Sequence, residues 1–314
     1  MVSQNMLLLT NCGYEEIKEL QKEINVCLYD LKTYPTKIEK QGKINMYNVL
    51  TACSDSLLCD SNNMFLTRRF DIPSQNIWKP VLWITAQDFI AVPINQKSFL
   101  PKMKKHKKIF KEWFEDKKFW DFVGYILDDF KIISNRIYTK NTRDSKKKLN
   151  ELKWDYKILK STNEVVITSP ALAYFLNFFK DDKHNFIIPY FVINLPKNIL
   201  TILLRYIFNS ASRLNSEYQL YQHTDKKTIY HLASCVAKLY NTIYLIHNNT
   251  VVNQKETFSL TFSKTIQNNA YGIYKDNYLW YKVNSIIQTL KMEESCKIKN
   301  SLNNIILNGV LLSI

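Results

Sequence analysis

A loop that cradles nucleotide phosphates needs several glycines close together, because only glycine turns with positive φ and lets the backbone approach the ligand. This chain has five glycines in 314 residues. Walker and Rossmann nucleotide sites are therefore excluded, and the fold has to be assembled from elements that seldom use glycine turns. No segment repeats at a fixed period, and no Gly/Ser-rich or Pro-rich linker parts two halves.

Hydrophobic spacing supplies the elements. Ile17, Leu20, Ile24, Cys27 or Leu28, and Leu31 recur at three- and four-residue steps and predict an amphipathic helix, with a second helix over 44–59. Pro73, Pro80 and Pro93 bracket two short β-rich runs, 81–85 and 89–94. From Lys105 to Ile133, the residues Ile109, Trp113, Asp116, Trp120, Val123, Leu127 and Phe130 fall on heptad-like steps and predict one long helix. Ser169 before Pro170 reads as an N-cap with proline at the first helical position. Strands are expected over 164–168 and 186–193, with another helix from Pro196 through Ser212. Ile229, Leu232, Val236, Leu239, Ile243 and Ile246 form the most regular helical stripe, followed by a strand at Phe258, Leu260 and Phe262 and a return to helical spacing over 279–290. The expected class is mixed α/β of the α+β kind, helix dominated, with small β-sheets. The expected division is a helical or mixed domain over 1–140, ending in a long basic helix, and a mixed domain over 141–314.

Charge carries the functional reading. Lys and Arg number 43 against 28 Asp and Glu, a net +15 that attracts polyanions. The abundance of Lys, Asn, Ile, Tyr and Phe matches an AT-rich gene of viral or plasmid type, and such drift would scatter lysines along the chain. Here they cluster. Residues 102–118 hold eight lysines against three acids, and residues 136–160 hold nine Lys and Arg against three acids.

The candidate nucleic-acid contacts are Lys102, Lys104, Lys105, Lys107, Lys108, Lys111, Arg143, Lys146, Lys147, Lys148, Trp154 and Lys157. If residues 146–160 are helical, Leu149, Leu152, Tyr156 and Leu159 share one arc and Trp154 faces the other way, flanked by Lys147 and Lys157. Lysines that neutralise phosphate around an indole that stacks on bases suit a single strand. The competing expectation is that another element packs over Trp154, as happens to most large aromatics. Arg68 and Arg69 could hold a phosphate, but a structural ion pair is the stronger expectation.

His223, with His231, Lys226 and Lys227, forms a polar group at a predicted helix start. A metal-independent ribonuclease could use the imidazoles as general acid and base and the lysines to stabilise charge. An exposed polar cluster without chemistry is the stronger reading of the same residues. Six cysteines at irregular spacings include no CxxC pair, so no metal site or cofactor is expected and buried free thiols are the default. Adjacent Asp128-Asp129 and Asp181-Asp182 point in different directions on a helix and do not form a clamp.

The sequence thus points to a basic nucleic-acid-binding protein, with RNA or single strands preferred in the absence of helix-turn-helix and zinc-finger signatures. The alternatives are a toxin-like metal-independent endoribonuclease and an immunity or interaction protein with an acidic protein partner. No signal peptide or membrane span is read, which makes the expected location cytoplasmic.

Overall fold

Leu7, Leu8, Leu9 and Thr10 are all buried. Successive strand residues point to opposite faces, so a strand buried at every position is covered on both sides. In the computed structural model strands take up 43% of the chain and helices 28%, and the largest sheet has 15 strands. The expectation of a helix-dominated fold with small sheets is overturned. The structure describes residues 1–27, 32–54, 56–71, 75–94, 107–127, 129–209, 212–213, 218–252, 255–264, 268, 270–290 and 292–314.

The chain forms two compact units, Met1–Phe99 with Ser212–Ile314, and Leu100–Ala211. The boundary expected near residue 140 falls inside the second unit. The first unit joins both ends of the chain because their strands pair with each other. Val2 faces Cys296, Leu8 faces Leu307, Phe65 faces Leu312, and Phe89–Pro93 runs antiparallel to residues 278–282. The final hairpin turns at Asn308 and Gly309, with φ of 43° and 83°, the left-handed pair that a two-residue turn requires. The buried Asn308 side chain accepts from the Leu7 amide at 2.8 Å and donates to the Ser56 carbonyl at 2.6 Å, which ties this turn to the first strands.

Among the described residues there are six α-helices: α1 (Lys107–Glu115), α2 (Lys117–Ile126), α3 (Arg143–Glu151), α4 (Pro170–Leu176), α5 (Lys197–Asn209) and α6 (Lys226–Tyr240). None is long and apolar enough to cross a membrane. In the first unit α6 lies against a second sheet of four strands, its Tyr240 ring stacked on Phe262. The second unit holds α1 to α5 and a separate antiparallel sheet in the order Lys131–Ile133, Arg136–Lys140, Glu164–Thr168, Lys157–Leu159.

Several expected helices are replaced. Residues 17–27 give a short 3-10 turn, Ile17–Glu19, and the strand Glu23–Cys27, while Leu28 and Leu31 of the expected stripe lie outside the described residues. The helix expected over 44–59 is replaced by the strands Tyr47–Thr51 and Leu58–Cys59, and residues 279–288 of the helical spacing expected over 279–290 lie in the strand Tyr278–Gln288. The long helix expected from 105 to 133 is broken by Asp116, the one acid on its apolar face. Asp116 is the N-cap of α2, its side chain accepting from the Lys118 amide at 2.8 Å. The stripe that begins at Ile229 stops at Asn241, a left-handed C-cap, so Ile243 and Ile246 lie beyond the helix. The runs expected as strands at 81–85 and 186–193 form the 3-10 turns Val81–Trp83 and Tyr190–Asn194.

Candidate nucleic-acid interface

The second unit contains 22 Lys and Arg against 12 Asp and Glu, so +10 of the chain's +15 lies in Leu100–Ala211. Its four-stranded sheet sorts these charges by alternation. In Arg136–Lys140 the side chains of Ile137 and Thr139 are buried while Arg136 and Lys140 are exposed. Residues directly opposite in an antiparallel pair share a face. Ile132, Ile137 and Ile167 therefore line the inner face together with Thr139 and Val165. Helix α4 packs against the Arg136–Lys140 strand.

The outer face carries three rows. Ile133, Arg136 and Thr168 make the first, Lys131, Tyr138, Val166 and Lys157 the second, and Lys140, Glu164 and Leu159 the third. Successive rows are about 7 Å apart at the usual strand rise. Four cations thus stand on one surface against one carboxylate. Lys140 pairs with Asp129 at 3.2 Å, and Lys131 reaches Glu164 only at 3.9 Å. Arg136 and Lys157 have no carboxylate partner among the described residues.

The structure scatters the contacts predicted from sequence. Lys102, Lys104 and Lys105 lie outside the described residues. Lys107 and Lys108 begin α1, where Lys111 is exposed. Arg143 and Lys147 are exposed on α3 and Lys146 is half-exposed, while Lys148 is drawn inward to the carboxylate of Asp121. Of the residues predicted, the outer sheet face includes only Lys157.

Trp154 is not a free plate. Helix α3 ends at Glu151, Lys153 takes a left-handed φ of 56°, and the indole turns in beside Phe122 and Trp113, with ring centroids 5.6 and 5.8 Å away. The helix expected over 146–160 ends early because the chain must turn here to lay down the strand Lys157–Leu159. Lys131, Arg136, Tyr138 and Lys140 were not among the predicted contacts. Their signal is the period-two run Arg136, Tyr138, Lys140, preceded by a two-residue turn in which Ser134 and Asn135 both have positive φ.

The four residues of the hydrolytic hypothesis do not present an open acid-base pair. His231 is buried in α6, and its Nε2 accepts the Tyr14 amide at 3.2 Å. His223 ends the strand Tyr218–His223, and its Nδ1 accepts the Asp225 amide at 2.9 Å. Lys227 bridges Glu15 at 2.7 Å and Glu19 at 3.0 Å. Burial works to lower its pKa, but those two carboxylates outweigh burial and hold it raised. Lys226 lies over the Phe258 ring. Arg68 and Arg69 form ion pairs with Asp276 and Asp71. Among the described residues no three His, Cys, Asp or Glu gather into a metal-binding group.

No protein-family model matches the chain, and no curated protein matches it. Several solved structures match parts of it, among them the following two. One is the G-1F mutant of the Ssp DnaB mini-intein variant M86, 20% identical over 33% of this chain and 70% of that chain, with a TM-score of 0.24. The other is the N-terminal LAGLIDADG domain of DUF199/WhiA, 13% identical over 54% of this chain and 87% of that chain, with a TM-score of 0.28. Scores of this size transfer neither fold nor function.

Proposed function

We propose that the outer face of the sheet in Leu100–Ala211 binds nucleic acid through its sugar-phosphate backbone. One observation carries the reading: Lys131, Arg136, Lys140 and Lys157 share a single sheet face on which Glu164 is the only acid. Cations held on a rigid sheet release condensed counterions when phosphates replace them, which gives affinity without demanding a sequence.

The packing of Trp154 removes the stacking platform that would favour single strands. What remains on the face is one half-buried aromatic, Tyr138, so a duplex is the better partner. A cytoplasmic setting agrees with this reading, since the five cysteines whose side chains are described are all free.

The test is a salt titration of duplex binding by the full chain and by an Arg136→Ala/Lys157→Ala variant. Each phosphate contact contributes about 0.9 to the slope of log K against log salt, so the variant is expected to lose roughly two units of slope. A slope equal to that of the parent chain would remove this face from the interface.

A further inference from the structure

In the first unit three neighbouring strands, Glu23–Cys27, Thr33–Ile44 and Glu293–Lys299, set charged residues in one cross-strand row. Glu23 faces Lys37, and Lys37 faces Lys299. Like charges directly opposite one another weaken a sheet. The neighbouring acids relieve this only in part. Lys299 donates to Glu39 at 2.7 Å, whereas Lys37 stays 3.7 Å from Glu23, too far for a hydrogen bond.

A cavity of about 500 Å³ opens beside this row, walled by Glu23, Asn25, Lys37 and Lys299, with Ile24 and Pro35 supplying apolar surface. That volume falls in the range of small-molecule sites. The turn after Lys299 adds Ser301 to the wall. Asn300 is occupied in shaping that turn, donating to the Asn304 carbonyl and accepting from the Leu302 amide. The Asn25 amide and the Ser301 hydroxyl make no side-chain hydrogen bond among the described residues. Two ammonium groups, an amide and a hydroxyl therefore surround one space with donor capacity to spare, since an ammonium offers three protons and Lys299 uses one on Glu39.

We propose that this cavity binds a small phosphomonoester. The phosphate sits between Lys37 and Lys299, where its charge offsets their repulsion. Ser301 and Asn25 donate to its oxygens. The Glu23 carboxylate, which would repel a bare anion, accepts from a hydroxyl of the ligand, and Ile24 and Pro35 lie against the carbon skeleton. The site belongs to a different unit from the basic sheet face and stands independently of it.

Calorimetric titration of the full chain with ribose 5-phosphate, inorganic phosphate and ribose tests the proposal. Ribose 5-phosphate is expected to bind saturably, phosphate more weakly and ribose not at all. Lys37→Met and Lys299→Met should each weaken ribose 5-phosphate by about tenfold, the loss of a charge-assisted hydrogen bond. Both lysines are substantially exposed, at 68% and 48%, so methionine, which keeps the stem, preserves the fold, and Ser301→Ala offers a neutral second probe. Glu23→Gln, which removes the carboxylate that repels a bare anion and accepts from the sugar, should strengthen inorganic phosphate and so narrow the preference for the sugar ester. An absence of saturable heat with either phosphate compound, equal affinity for the two, or unchanged binding by the double lysine variant would overturn the assignment. Arg136→Ala/Lys157→Ala should leave this binding untouched.

Discussion

Asp121 joins three helices through one carboxylate. From α2 it accepts from Lys148 on α3, from Arg205 at 3.0 Å and from the Tyr206 hydroxyl at 2.8 Å, the last two on α5. Burial works to raise the Asp121 pKa, but the hydrogen bonds from Lys148 and Tyr206 and the adjacent positive charges outweigh it and leave it lowered. A carboxyl with a lowered folded-state pKa stabilises the fold at every pH above its unfolded value, near 4, and loses that contribution as pH falls through the folded value. Lys148 is shifted the other way. Burial pulls its pKa down, but Asp121 and Tyr206 hold it raised, so its contribution persists until alkaline pH. Asp121→Asn is expected to cost about 2 kcal/mol at neutral pH, less than a fully buried pair because the carboxylate keeps some solvent contact. The gap between variant and parent should shrink below pH 4. Denaturant melts at pH 7 and pH 3 check both statements, and a pH-independent gap would mean that the charge of Asp121 is not what matters.

At the scale of elements, α2 and α5 meet at Gly124. A Cβ there would stand 2.5 Å from Cδ2 of Tyr206 and 3.1 Å from its Cγ, and the ring cannot swing away freely while its hydroxyl is held by Asp121. Alanine is the better helix former by about 1 kcal/mol, yet the clash should dominate and make Gly124→Ala destabilising by about 1–3 kcal/mol. With Tyr206→Ala already in place the penalty should vanish, which a double-mutant cycle measures directly. Elements whose ends carry their own chemistry were legible in the sequence. Ser169 with Pro170 marks the start of α4, and Phe258, Leu260 and Phe262 alternate as a strand should. Of the elements read from apolar spacing alone, the stripe from Ile229 is helical as far as Tyr240, but 44–59 and 279–290 were misread. Met46, Val49, Cys53 and Leu57 are all buried at intervals that suit a helix, but strands and turns bury them from several directions. Leu279, Trp280, Tyr281 and Val283 are buried in a strand covered on both faces, and a continuous apolar run of that kind has no period with which to tell strand from helix. The basic character of the middle of the chain was legible for the candidate site. Its surface was not, because side-chain alternation in Arg136–Lys140 acquires meaning only once Lys131 and Lys157 are brought beside it in register.

For the whole molecule, local patterns could not have revealed that the first unit is discontinuous, since pairing Leu8 with Leu307 or Phe65 with Leu312 joins residues from opposite ends of the sequence. The second unit is one continuous stretch of 112 residues between them, an ordinary domain length, with its own sheet and its own aromatic core around Trp113, Phe119, Trp120 and Phe175. Its excess of positive charge is twice that of the rest of the chain in little more than half the length. Expressed alone, residues 100–211 are therefore expected to fold and to retain most of the duplex affinity of the full chain, with the same salt slope. The remainder, 1–99 joined to 212–314 by a flexible Gly/Ser linker, should bind duplex far more weakly and with a shallower slope, because affinity of this type follows the number of phosphates neutralised. Side-by-side salt titrations of the two pieces decide the point. If the linked remainder bound as tightly and as steeply as the parent chain, the cations of the small sheet would be ordinary surface charge and the nucleic-acid contacts would have to lie in the first unit.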